Sequence, residues 1–590
     1  MGNIAAAHWG HDASMTFYNS DTNTFHVIEM EKLTGIKHYR GHGRLDEVED
    51  ILKECLKISR DEFGIKNEYD FFILGSSVNP HAPDYHEGQI LHRPLVEKIF
   101  NVRKGGFLIN FRHHNGHAYG AYSQSPWFGD QATIFTFDAG GDDGHTFLWD
   151  AEGHDVRSVQ KVGWDHTVHK WESFFGRNYN IAIGHGCVNI VNNTSSVLDL
   201  SGKAMGAAAY GSDNTKFHTL GQRLFKIDWS TIKSRNPAFD FWADEYRKDS
   251  FDMWEEGQGR GQYESGKEWL TDIFFDTPED NNIYQIMPRE KFPTWREECD
   301  IARGIQDEFE NKVLTFLQKH EEVLYRNKNR LVISGGCGLN VLLNRRIQEE
   351  FGLDVFVPPD VTDVGLPLGF IVRWMTKRKW DQDRVTISYA GPKLRDLDCL
   401  DYYKDNYHHE EITVEDLSNR LKNDEIVGLV QGGIEVGPRA LGNRSILCDP
   451  KGWDKKEKVN VIKRREWYRP FAPVCRKEDA EWYFSAVNYN NLSFMNFAVD
   501  VRPQHAEALA AITHVDGSAR LQTVTRDQNE LLYDILSEFD GVLLNTSFNV
   551  RGKPILNTLK EAFEVLNETE LDAVVVYHNE KLWYFNTKKI

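Results

Sequence analysis

The stretch from 301 to 351 restricts the fold most. Ile301, Ile305, Phe309, Val313 and Leu317 recur every four residues and mark one buried helix face. A strand, RLVIS, follows, then a Gly335-Gly336 turn and a second helix, GLNVLLNRRI. Helix, strand, Gly-Gly turn and helix form the grammar of an α/β protein. Residues 131–150 read as a hairpin, QATIFTFDA and HTFLWD around the turn GGDDG. The chain opens with a strand and turn, NIAAAHWGHDASMTFYN, and a further extended run, FHVIEMEK.

A chain of 590 residues exceeds one ordinary core. The polar link KRKWDQDRVTISYAGPKLRDLDC sets a domain boundary near 395. Beyond it come a helix, VEDLSNRLKND, and the strands EIVGLVQG, GVLLNTSFN and DAVVVYHN. The aromatic segment 241–270, inside an insertion over about 225–300, is either a satellite core or an aromatic wall for an acceptor. Lys and Arg total 69 against 89 Asp and Glu, a net charge of −20, which excludes a general nucleic-acid coat. Seven cysteines without a CxxC pair argue against a disulfide framework and for a reducing, cytoplasmic setting. No apolar run approaches the roughly 18 residues of a membrane span.

Three groups of residues could carry chemistry. His113 and His117 share one helix face, and Asp138 and Asp363 each sit beside a turn; together they form a mixed N/O set for Fe(II), Mn(II) or Zn(II), or else buried and surface histidines without a metal. Gly140-Gly141 and Gly335-Gly336 are turns that let a backbone approach phosphate, or simply turns. Neither matches a P-loop or dinucleotide fingerprint. Third, Arg439, Arg444, the run KRREWYRP with Lys463 and Arg469, then Arg520 and the Ser547/Asn549 pair make a phosphate pocket or a solvated basic face.

Taken in order, HDAS, HHNGHA, FDAGG, GKAMGAAAYG, SGGCGLN, DVGLPLG, GPRALGNRSI, REWYRPFAP, HVDGSARLQTV and NTSFNVRGKPI resemble the nodulation-factor and antibiotic-tailoring O-carbamoyltransferases of the NodU/CmcH type over nearly the whole chain. The resemblance implies an α/β protein of two domains. Residues 1–395 would be an actin/Hsp70-like (ASKHA) ATPase-type domain, and 396–590 a YrdC-like α/β domain. It implies that carbamoyl phosphate and ATP, with Mg²⁺, give carbamoyl adenylate in the C-terminal site. An acceptor hydroxyl then attacks in the N-terminal site, where Fe²⁺ or a similar metal holds the adenylate.

By motif, the metal ligands would be His113, His117, Asp138 and Asp363, and His11 the histidine facing the acceptor. Lys463, Arg469, Arg520, Ser547 and Asn549 would line the adenylate-forming pocket, with Arg439 and Arg444 on phosphate. The sequence departs from the family at Asn115-Gly116, where Leu-Ala is usual, and this drift points to an unusual acceptor. That acceptor is a sugar, polyketide or other small molecule, or the hydroxymethyl group of 5-hydroxymethylcytosine in DNA. A homodimer follows by family analogy. Competing readings are a tRNA threonylcarbamoylation-type enzyme and a non-enzymatic nucleotide-binding scaffold.

Overall fold

The computed structural model describes residues 2–39, 45–75, 93–110, 112–138, 146–161, 188–189, 194–195, 201–226 and 295–588. Gly140, Gly141 and the 241–270 segment lie outside the described residues.

Two five-stranded sheets repeat one connectivity. In the first, β1 (Asn3–His8), β2 (Ser14–Asn19) and β3 (Thr24–Glu29) form an antiparallel meander. β4 (Tyr69–Gly75) then pairs parallel to β1, and β5 (Phe107–Asn110) parallel to β4. In the second, β6 (Gln131–Phe137), β7 (Thr146–Glu152) and β8 (Asp155–Lys161) make the meander. Arg330–Ser334 pairs parallel to β6, and Asp354–Phe356 parallel to Arg330–Ser334. The hairpin expected at 131–150 is thus β6–β7. The run FHVIEMEK is only partly extended: β3 ends at Glu29 and a short helix, Met30–Thr34, begins.

β1 shows why the first sheet is buried on both faces. Ala5 and Ala7 join a cluster with Phe17, Tyr69 and Phe72, while Ile4 and Ala6 pack with Ile73, Leu366 and Phe370 on the other side. The second face is covered by the helix Leu366–Lys377, which also crosses the helix His113–Gln124. Glycines permit that crossing, because a Cβ on Gly369 would overlap the Gly116 backbone. The Asn115-Gly116 departure belongs to the same contact: a Cβ on Gly116 would lie 2.7 Å from Phe370 and 2.8 Å from Leu366.

The C-terminal segment builds its own eight-stranded sheet. In spatial order it runs Tyr407–Ile412, Lys581–Lys588, Ala573–His578, Val427–Val430, Arg444–Cys448, Leu543–Ser547, Ala472–Arg476 and Gln522–Val524. Leu417 and Leu421 of the helix Val414–Lys422, and Leu532, Ile535 and Leu536 of Glu530–Phe539, pack on one face. The strands of this sheet begin at Tyr407, after the last strand of the preceding sheet ends at Phe356, but the compact units do not divide there. Met1–Gly163 and His320–Ile590 cluster as one unit, and Trp164–Lys319 as another. Buried links explain the first grouping. The Lys32 ammonium holds Glu29 at 2.6 Å and donates to the carbonyls of Glu435 and Gly437 at 2.7 and 2.8 Å. Asn496 donates to the carbonyls of Val357 and Pro358.

In the second unit the helix Trp295–Gln318 buries Ile301, Ile305, Phe309, Val313 and Leu317, the face expected from their spacing. Among the described residues no helix is long and apolar enough to cross a membrane.

Candidate active site

The helix His113–Gln124 is buried along nearly all its length, so His113 and His117 turn the same face into the interior rather than to solvent. Asp138 directly follows β6, and Asp363 opens the short turn Asp363–Gly365. One donor atom from each of the four residues lies within 4.8 Å of the other three. The two Nε2 atoms are 3.0 Å apart. Asp363 Oδ1 is 3.4 Å from each of them, and Asp138 Oδ2 is 3.6 Å from His117 Nε2. All four side chains are buried.

Neighbours orient these donors. Ser334 Oγ lies 3.3 Å from His117 Nδ1, which turns Nε2 toward the cluster. The Gly336 amide donates to Asp138 Oδ2 at 2.6 Å, so the second glycine turn braces a ligand. Gly335 has φ +97°, and a Cβ there would overlap the carbonyl of Phe137, so the turn needs glycine. Burial alone would raise the Asp363 carboxyl; the neighbouring imidazoles of His113, His117 and His8 outweigh it and hold Asp363 well below its ordinary value. Two imidazoles and two carboxylates converging in this way fit a first-row divalent ion.

His11 lies in the turn after β1, on a loop partly open to solvent. Its Nδ1 is 3.2 Å from one oxygen of Asp12, and His38 Nδ1 is 3.2 Å from the other. The two rings stack with centroids 5.4 Å apart. Burial pushes Asp12 up, but both imidazoles pull it further down, below the usual carboxylate range. Asp12 and His38 escaped the sequence reading. The first stands inside the HDAS motif; nothing in the sequence marks the second.

The basic residues of the C-terminal segment also converge. Lys463, ending the helix Trp453–Lys463, donates to Ser547 Oγ at 2.9 Å, to the Ser547 carbonyl, and to Asn549 Oδ1 at 2.5 Å. Burial lowers the Lys463 ammonium well below its ordinary value, and Arg465 and Arg469 lower it further. Arg520 is depressed by burial and then by Arg439, Arg465 and Arg469. Burial and Arg469 bring Arg439 down to about 10. Arg469 bears on Arg439, Lys463, Arg465 and Arg520 alike, and Glu466 lies 3.4 Å from Arg469. Such crowding fits a polyanion. Arg465, which stands in the run KRREWYRP without a role assigned to it there, joins this group.

Arg444 corrects an expectation. It is fully buried, and its guanidinium donates to the carbonyls of Gln431, Asn443 and Gly432. These bonds tie it to the two ends of the loop that carries Arg439, so its donors are engaged by backbone rather than left for phosphate. The same loop closes around Glu435, whose Oε1 accepts the amides of Leu441, Asn443 and Arg444 at 2.9, 2.6 and 2.9 Å.

Residues 84–371 match the carbamoyltransferase N-terminus family and 418–580 the carbamoyltransferase C-terminus family. Nodulation protein NolNO of Sinorhizobium fredii is 30% identical over 587 residues, covering 94% of this chain and 77% of its own. The chain belongs to the carbamoyltransferase family. Within this family of enzymes, nodulation protein NolO of Bradyrhizobium diazoefficiens is 36% identical over 49% of this chain and 55% of its own. The 3'-hydroxymethylcephem-O-carbamoyltransferase of Streptomyces clavuligerus is 35% identical over 48% of this chain and 53% of its own. The chain thus matches about half the length of these two carbamoyltransferase relatives. Among solved structures, full-length HypF in its phosphate- and nucleotide-bound form aligns with 64% of this chain and 47% of its own, at 11% identity and a TM-score of 0.33. A likeness that weak bears on neither fold nor activity.

Proposed function

We propose that the chain is an ATP-dependent O-carbamoyltransferase acting in two steps. In the first, water cleaves the P–O bond of carbamoyl phosphate and releases inorganic phosphate. The carbamate oxygen then bonds the α-phosphorus of MgATP, and pyrophosphate leaves. In the second, an acceptor hydroxyl attacks the carbonyl carbon of carbamoyl adenylate, the bond from that carbon to the AMP oxygen breaks, and AMP departs.

One feature supports the reading: Arg439, Lys463, Arg465 and Arg520 are all lowered by burial and by the neighbouring Arg469. Bringing two anions together needs this arrangement, because cations already in place offset their mutual repulsion. Lys463, held by Ser547 and Asn549, would supply positive charge beside the phosphates. His113, His117, Asp138 and Asp363 would hold an iron-type metal, which when bound neutralises phosphate charge and polarises a carbonyl. Asp12 at Nδ1 of His11 favours the tautomer whose Nε2 takes the hydroxyl proton.

The duplicated strand order supports an actin/Hsp70-type architecture for 1–395. The separate C-terminal sheet supports a YrdC-like domain for 396–590. The acceptor is a small molecule bearing a hydroxyl, in line with the hydroxymethylcephem named for one relative. The test is mass spectrometry of acceptors incubated with the protein, MgATP and carbamoyl phosphate, with 5-hydroxymethylcytosine DNA in the panel. A small molecule heavier by one carbamoyl group supports the reading. Carbamoylated DNA would move the acceptor to the base, and ATP left intact under every condition would refute the transferase.

A further inference from the structure

His8 ends β1, a strand whose other inner residues are Ile4 and three alanines. It is fully buried, and neither ring nitrogen completes a hydrogen bond. Burying a polar group without a partner is unfavourable, and an apolar residue at this position would avoid that cost. The ring points to one place. Nε2 lies 3.4 Å from Asp363 Oδ2, while Asp363 Oδ1 faces Nε2 of both His113 and His117 at 3.4 Å. One carboxylate is therefore divided, its first oxygen on the two ligand imidazoles and its second on His8. His8 stands outside the four donors that share a 4.8 Å sphere, and its ring meets that of His113 edge-on with centroids 6.4 Å apart. Its cross-strand neighbour Ser14 donates to the Val364 carbonyl at 3.0 Å. The paired ends of β1 and β2 thus grip the Asp363–Gly365 turn twice, once by side chain and once by backbone.

We infer that His8 is a positioning residue for Asp363: its Nε2–H holds Oδ2, so that the carboxylate offers Oδ1 alone to a metal. The inference rests on Asp363 being a metal ligand. Outer partners of this kind typically govern metal affinity by about 10–100-fold. Removing one also frees the carboxylate to rotate and bind through both oxygens, which changes the coordination geometry.

The experiment uses the full chain, stripped with chelator and titrated with Co²⁺, whose visible bands report coordination. Wild type is expected to bind with a defined spectrum, and Asp363→Asn to lose that binding. His8→Leu should bind about 10–100-fold more weakly with a shifted spectrum, while its stripped form melts no lower than wild type. His8→Gln, which restores an N–H donor, should recover much of the affinity. His8→Leu with wild-type affinity and spectrum overturns the inference and leaves the ligand assignment standing. Weaker binding matched by a lower melting point in both His8 variants reduces His8 to packing and also overturns it. Wild type that takes up no cobalt overturns the ligand assignment and this inference together.

Discussion

Glu435→Gln keeps the shape of a buried side chain and removes its charge. In the native loop one carboxylate oxygen accepts three main-chain amides, those of Leu441, Asn443 and Arg444. Hydrogen bonds to a charged group contribute about 1.5–3 kcal/mol each, and neutral ones about 0.5–1.5 kcal/mol. The exchange therefore removes about 1 kcal/mol per bond, or about 3 kcal/mol in all. Arg444, buried beside it, also loses a compensating charge. For a compact unit of this size, formed by Met1–Gly163 and His320–Ile590, about 3 kcal/mol corresponds to a fall of about 3–4 °C in melting temperature. Differential scanning calorimetry reads that fall, and titration with a non-hydrolysable ATP analogue reads the consequence for Arg439, which the loop carries. An unchanged melting point with unchanged nucleotide affinity would refute the claim that Glu435 organises this loop.

Four further outcomes are expected. Lys32→Met leaves Glu29 buried without its ammonium partner and should cost about 3–5 kcal/mol, most of it recovered by adding Glu29→Gln; thermal melts of both variants check this. His26, stacked on Phe63 and depressed by burial to about 4, stays neutral in the folded chain while the unfolded chain takes up its proton at about 6.5. Its contribution is thus complete above pH 6.5 and lost as pH falls toward 4, so urea midpoints of His26→Gln should show a shallower decline over that window than wild type. Gly369→Ala drives the helix Leu366–Lys377 off Gly116 and displaces His113 and His117 from Asp363, so Co²⁺ titration should show weaker uptake. His11→Ala should still convert ATP to adenylate but transfer nothing; loss of both half-reactions would contradict the division of labour.

Much of the α/β grammar was legible because it depends on local pattern. The four-residue spacing from Ile301 to Leu317, the β-branched and aromatic runs around the turn of the 131–150 hairpin and the strand before Gly335 needed no partner to be read. The helix at Met30–Thr34 was not, because its sequence continues a β-like run and its position follows from the Lys32 contacts with Glu435 and Gly437, four hundred residues away. The candidate ligands were legible as residue types, since His113 and His117 carry their spacing with them. Arg444 shows the limit: a sequence displays a guanidinium but not the three carbonyls that occupy it. His8 and Glu435 were passed over for the same reason, each acquiring its meaning only from groups brought to it by the fold.

The central claim is tested most directly by following pyrophosphate release from ATP with and without carbamoyl phosphate, in wild type, Lys463→Ala and Asp363→Asn. The account predicts release that requires carbamoyl phosphate, vanishes in Lys463→Ala and persists in Asp363→Asn, because the activating pocket and the metal-ligand cluster serve separate steps. Release that ignores carbamoyl phosphate, or survives in Lys463→Ala, would contradict it.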